Sequence, residues 1–184
     1  IILACWLPCY LAFCPGVYVY DINTQTDIIY GVWSISNKQP LIHTIWWYAC
    51  ILIEKYTGIS ELALVVYSIS QMMIVSAILA YTIYYLCKQN YHPVCIWLTL
   101  IWYAVSPRLA LFSIITTKDV VFSGLFLLIT LKIINLLEDE EVFQNKRYSF
   151  SLFIIAGFFC LFRSNACHIL IALFICIWIK WRKK

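Results

Sequence analysis

Residues 62–87 read LALVVYSISQMMIVSAILAYTIYYLC, 26 positions without a single charge. A helix needs about 20 mostly apolar residues to cross the hydrocarbon of a bilayer, so this stretch predicts a transmembrane helix with length to spare. The surrounding chain has the same character. Of 184 residues, 64% are hydrophobic and 12% charged, and the mean hydropathy is +0.86. Soluble domains carry about 25% charged residues. The class is therefore an integral membrane protein, and the 17% aromatic content fits the enrichment of Trp and Tyr at bilayer interfaces.

Further spans follow on either side, at 1–14, 91–106, 119–137, 148–162 and 165–179. Pro15-Gly16 ends the first, Ser106-Pro107-Arg108 interrupts the chain after the third, and Arg163-Ser164-Asn165 separates the last two. LALFSIITT, after Arg108, reads as a half-helix at the outer surface, and Lys132 as a lysine snorkelling to the nearer interface. Residues 15–60 form a long loop whose one apolar stretch, LIHTIWWYACILIEKY, suits a helix lying in the interface plane; a short helix packed on other spans is the alternative. EDEEVFQNKR (138–147) is a solvated polar loop. The expected fold is all-α, a polytopic transmembrane helix bundle with a long first extracytoplasmic loop containing an interfacial helix. The chain forms one transmembrane domain and starts in mid-hydrophobic run, as expected of the N-terminal part of a longer protein.

Basic residues orient it. Lys88, Lys146, Arg147, Lys180, Arg182, Lys183 and Lys184 fall in one set of loops, seven against the five of Lys38, Lys55, Arg108, Lys118 and Arg163. The denser set should be cytoplasmic. Asp21, Lys118, Asp119 and Arg163 then share the outer side, each at a helix boundary. A net charge of +4 reports those loops rather than a nucleic-acid partner.

This outer face holds the chemistry. Ionisable groups at a membrane boundary are costly to keep and are functional candidates. In PGVYVYDINTQTD (15–27), Asp21 is either a general base for a hydroxyl acceptor or simply a helix N-cap, with Gln25 one turn further on. Lys118-Asp119 is either a cation near a lipid-linked phosphate, oriented by its neighbour, or an ordinary acidic helix start beside an interfacial lysine. Arg163, with Asn165, offers a planar fork for phosphate oxygens and needs a partner if buried, either Asp21 or a phosphate. His43 is a further loop candidate, although a lone histidine is more often a packed, hydrogen-bonded group.

Nine cysteines show no ligand-like pairing. Most lie in or beside apolar runs as small hydrophobes, Cys50 falls in the outer loop, and neither a disulfide framework nor a zinc site is expected. His92 and His168 assemble no metal site. No glycine-rich phosphate loop, HExxH or GxSxG occurs.

The order PGVYVYD-x3-Q, NKQPLIHT, TTKDVVFSG and FRSNACHIL resembles a group of bacterial multispanning proteins of the GT-C glycosyltransferase superfamily, more distantly similar to protein mannosyltransferases and the lipid A aminoarabinose transferase. It extends over residues 10 to 175. The resemblance implies a plasma-membrane enzyme with its active face outside the cell. Asp21 matches the essential acid of the first outer loop and would be the catalytic base. Gln25, His43, Lys118, Asp119, Arg163 and Asn165 would line the substrate. Gln39 stands where the pattern usually has histidine before proline, and Ala166 where it has glycine. The implied donor is a polyprenyl-phosphate-linked sugar, and the acceptor a glycan, lipid or protein. No metal ligands are assigned; a divalent cation stays open, with Asp21, Asp27 and Asp119 as oxygen sources.

Two other functions compete. A transporter or flippase for a lipid-linked or anionic molecule would need broken helices near the midplane and internal repeats. A non-enzymatic scaffold, or a remnant of a larger gene, would need no site at all.

Overall fold

The computed structural model describes residues 1–34, 39–138, 142, 145–163 and 165–182. Much of the polar loop 138–147 lies outside these residues, as do Lys38, Ser164, Lys183 and Lys184 of the orientation and motif arguments. Among the described residues the fold is all-helical: α1 (Ile2–Ala12), α2 (Tyr20–Ile29), α3 (Leu41–Thr57), α4 (Leu62–Lys88), α5 (Pro93–Val105), α6 (Pro107–Ile114), α7 (Lys118–Glu138), α8 (Lys146–Phe162) and α9 (Ala166–Arg182).

Two helices are long and apolar enough to cross a membrane, α4 with 27 residues and α7 with 21. The expected six spans are not reached on that measure. α1 has 11 residues, and α8 and α9 have 17 each. The stretch at 91–106 yields a helix of only 13 residues, because Pro107 lacks an N–H and holds Ser106 in extended backbone. α5 and α6 meet there at a 52° bend, and count as a third span if taken together. Many large apolar side chains face outward, among them Trp97, Trp102, Phe153 and Ile171. A surface of this kind suits hydrocarbon rather than water.

The loop at 15–60 is more structured than expected, with two helices in it. α3 stops at Gly58 in the left-handed region (φ +71°) and folds back on α4, burying His43, Trp47 and Cys50. Glu54 Oε2 accepts the N–H of Ala63 (2.8 Å), satisfying one of the free donors at the start of α4. Three apolar clusters hold the helices: α1 with α4 and α6 around Trp6 and Ile114; α2 and α3 with α4 around Ile22, Trp47 and Tyr67; and α7 with α8 and α9 around Ile129 and Phe159. Lys132 does not snorkel. It is buried between α7 and α8, donating to Ser151 Oγ (3.0 Å), with its ammonium 4.4 Å from the Tyr148 ring centroid.

One short contact outside the helices positions the site. Val17 bridges Ile115 in parallel, with Val17 N–H donating to the Ile114 carbonyl (3.2 Å) and Thr116 N–H to the Val17 carbonyl (3.0 Å). The buried Thr116 hydroxyl donates to the Val17 carbonyl (3.0 Å) and accepts from Val19 N–H (3.1 Å). Gly16 makes this approach feasible. Its φ is +141°, and a Cβ there would sit 2.1 Å from Ser68 Oγ on α4.

Candidate functional site

The Val17–Ile115 bridge sets the start of α2 beside the start of α7. Asp21 lies in the first turn of α2, but Val19 is the N-cap, so the side chain is not spent on capping. Instead Asp21 accepts from Thr117 Oγ1 at Oδ2 (3.2 Å) and from Lys118 Nζ at Oδ1 (3.4 Å). Both members of the Asp21–Lys118 pair are mostly buried, at 24% and 15% side-chain exposure, so their attraction is screened less than that of a surface pair.

Arg163 finds its partner in Asp119 rather than Asp21. Nη1 donates to Oδ1 at 3.1 Å, and the guanidinium lies 5.6 Å from the Phe122 ring. About half of each side chain in this pair is exposed, so its own contribution to stability is small. Asp119 therefore faces Arg163 while Lys118 faces Asp21. The two ion pairs are adjacent, because Lys118 and Asp119 are consecutive on α7. Asn165 is exposed in the turn between α8 and α9, its carbonyl accepting from His168 N–H (3.2 Å).

Behind Asp21 runs a buried hydrogen-bonded chain. Lys118 Nζ donates to Gln39 Oε1 (3.3 Å), Gln25 Nε2 donates to the same oxygen (3.2 Å), and Gln25 Oε1 meets His43 Nδ1 (2.8 Å). His43 Nε2 meets the Tyr67 hydroxyl (2.6 Å), which in turn meets Gln71 Oε1 (2.8 Å). Gln71 Nε2 ends the chain on the carbonyls of Phe112 (3.3 Å), Ser113 (3.0 Å) and Ile115 (2.7 Å). Gln25, His43, Tyr67 and Gln71 are fully buried. Gln25 and His43 are thus linked to the Asp21 carboxylate through Gln39 and Lys118.

The two ends of this chain fix its proton pattern. An ammonium only donates and carbonyls only accept. Gln39 therefore presents oxygen to Lys118, Gln25 donates to Gln39, and His43 Nδ1 must carry a hydrogen for Gln25 Oε1. From the other end, Gln71 presents its nitrogen to three carbonyls and its oxygen to Tyr67. The single Tyr67 hydroxyl proton is then wanted by both Gln71 Oε1 and His43 Nε2. With a neutral imidazole the network is one proton short; an imidazolium would satisfy every position. Burial nevertheless pulls the His43 pKa down to about 4, partly offset by Asp21, with Lys118 adding to the lowering. Desolvating a cation outweighs one extra charge-assisted hydrogen bond, which returns about 1.5–3 kcal/mol.

A cavity of about 490 Å³ opens beside the pair, between α4, α5, α6 and α7. Leu79, Tyr103, Phe112 and Leu127 form its apolar walls, and Thr117, Asp119 and Ser123 its polar end. Thr117 therefore touches both the cavity and Asp21.

A divalent cation is poorly served by these residues. Asp21 and Asp119 each face a cation already, Asp27 is six residues along α2 from Asp21, and no three His, Cys, Asp or Glu groups converge among the described residues.

A family described as a family of unknown function, DUF6020, matches residues 33–184. The chain belongs to the DUF6020 family. No curated protein and no solved structure matches it. The DUF6020 match takes in Gln39, His43, Tyr67, Gln71, the Thr116–Asp119 segment, Arg163 and Asn165; Asp21 and Gln25 precede it. Within this DUF6020 chain, sequence reasoning missed Tyr67, Gln71, Thr116 and Thr117. Tyr67 and Gln71 sit one turn apart in an uncharged run, and that spacing was the available signal.

Proposed function

We propose that this protein is a multi-pass GT-C-type glycosyltransferase of the bacterial plasma membrane. It moves a sugar from a polyprenyl-phosphate carrier to an acceptor on the extracytoplasmic face, where α3 lies at the interface. The observation that carries this reading is a carboxylate held by a lysine and by a threonine that itself lines the polar end of an apolar cavity. A lipid-linked phosphate needs that combination of an apolar slot for the chain, cations for the phosphate and a base at the boundary.

In this reading Asp21 takes the proton from an acceptor hydroxyl, whose oxygen attacks the anomeric carbon. The bond from that carbon to the phosphate oxygen breaks, and the phosphate leaves with the electron pair. Attack opposite the leaving group inverts the sugar. Lys118 stabilises the leaving phosphate from the cavity mouth, and Arg163 does so by exchanging Asp119 for phosphate oxygens. The donor is a polyprenyl-phosphate sugar, and the acceptor a glycan, lipid or protein.

The test is sugar transfer in membranes carrying the protein, comparing wild type with Asp21→Asn. A general base contributes about 10²–10⁴-fold, so the variant should lose at least that much while inserting normally. Undiminished transfer in Asp21→Asn would remove the assigned role. The 52° break between α5 and α6 favours the second reading, a flippase built on a discontinuous helix. Flux of labelled lipid-phosphate sugar into liposomes, with no transfer, would select it.

A further inference from the structure

Cys160 and Cys167 lie on either side of the break that presents Arg163. Cys160 is in the last turn of α8 and Cys167 is the second residue of α9, and their sulfurs are 3.4 Å apart. Theirs is the sulfur–sulfur contact among the described residues, in a chain whose nine cysteines are otherwise scattered. A disulfide needs its sulfurs at ~2.05 Å, so closure asks for an approach of little more than an ångström. The pair differs in access: Cys167 is exposed and Cys160 is half-buried. Among the described residues, the turn they flank carries two backbone bonds, Ala166 N–H to the Arg163 carbonyl (3.0 Å) and His168 N–H to the Asn165 carbonyl (3.2 Å). Arg163 itself is extended, with φ −158° and ψ 134°.

We propose that Cys160 and Cys167 form a reversible disulfide across the α8–α9 turn that carries Arg163. The co-reactant is a protein or small-molecule disulfide of the oxidising compartment. The Cys167 thiolate attacks that disulfide, forming a mixed disulfide and releasing one partner thiolate. The Cys160 thiolate then attacks the Cys167 sulfur and releases the second partner thiolate. The two protons lost by the cysteines pass to the released thiolates, so a protein dithiol and a disulfide become a protein disulfide and a dithiol. The ring encloses Arg163 and Asn165. Its placement in an oxidising compartment rests on the outward orientation proposed above, but the thiol chemistry itself does not.

The experiment uses the full chain in detergent, oxidised with glutathione disulfide and quenched with an alkylating reagent. Trypsin cuts after Arg163, so the disulfide appears by mass spectrometry as two peptides joined through Cys160 and Cys167, separable by reductant. That linked product is expected in wild type and lost in Cys167→Ser. In Cys160→Ser a glutathione adduct should accumulate on Cys167, because the resolving thiol is gone. Persistent glutathione on Cys167 in wild type, or linkage of Cys160 to another cysteine, would overturn the proposal. Because the readout is a covalent bond, failure here is distinct from failure of the sugar-transfer reading.

Discussion

Acidification should destabilise this protein through His43. In the folded state its pKa is lowered to about 4 by burial, against 6.5 for an ordinary imidazole. Between these values the unfolded chain binds the proton and the folded chain does not, so stability rises with pH across the window. The full contribution is present above about pH 6.5 and is lost progressively as the pH falls towards 4. At about 1.4 kcal/mol per unit, the loss amounts to about 3 kcal/mol. That is a large part of the roughly 5–15 kcal/mol that holds a typical domain together. The assay is equilibrium unfolding in mixed micelles at a series of pH values, for wild type and His43→Gln. Both share every other titrating group, so the difference in their slopes isolates the imidazole. A wild-type midpoint that stays level from neutrality to the low end of the window would refute the argument, as would an equal slope in His43→Gln.

Three other outcomes follow from the same geometry. Gly16→Ala sets a Cβ 2.1 Å from Ser68 Oγ at a φ of +141°; it should cost about 1–3 kcal/mol of stability, read as a lowered unfolding midpoint, and an unchanged midpoint would mean that the 15–17 segment packs elsewhere. Thr116→Val leaves the Val19 N–H without its acceptor and should cost about 1–3 kcal/mol, with faster hydrogen exchange at Val19 as the local readout. Lys118→Met removes the cation shared by Asp21 and Gln39; if the transferase reading holds, transfer per folded molecule should fall roughly 10²–10³-fold, and undiminished transfer per folded molecule would make Lys118 a structural residue only.

The membrane character of the chain was legible because it rests on composition and run length. α4 and α7 follow their apolar runs closely, and Pro-Gly, Ser-Pro and the Arg163 break end helices where local chemistry says they should. Span count was less legible, since apolar runs such as 1–14 and 165–179 hide how many residues are helical. The grouping of Asp21, Lys118, Asp119 and Arg163 was anticipated from topology alone, but not the choice of partners. Which carboxylate meets which cation depends on the Val17–Ile115 contact, a pairing across 98 residues that no local pattern encodes. His43 was likewise visible as a residue and invisible as a role. Its neighbours Gln25, Tyr67 and Gln71 come from α2 and α4, and only packing brings their polar atoms into one line.

The Val17–Ile115 bridge also sets a schedule for biogenesis. Asp21 leaves the ribosome 96 residues before Thr117, its first partner, which stands just ahead of α7. At about 5–20 residues per second, that gap lasts roughly 5–20 s. Throughout it, the Asp21 carboxylate and the Val19 N–H have no protein partner to receive them. The nascent chain must be kept hydrated or chaperoned at this point until α7 arrives, and a polypeptide stalled before residue 116 would carry the acid without the groups that hold it.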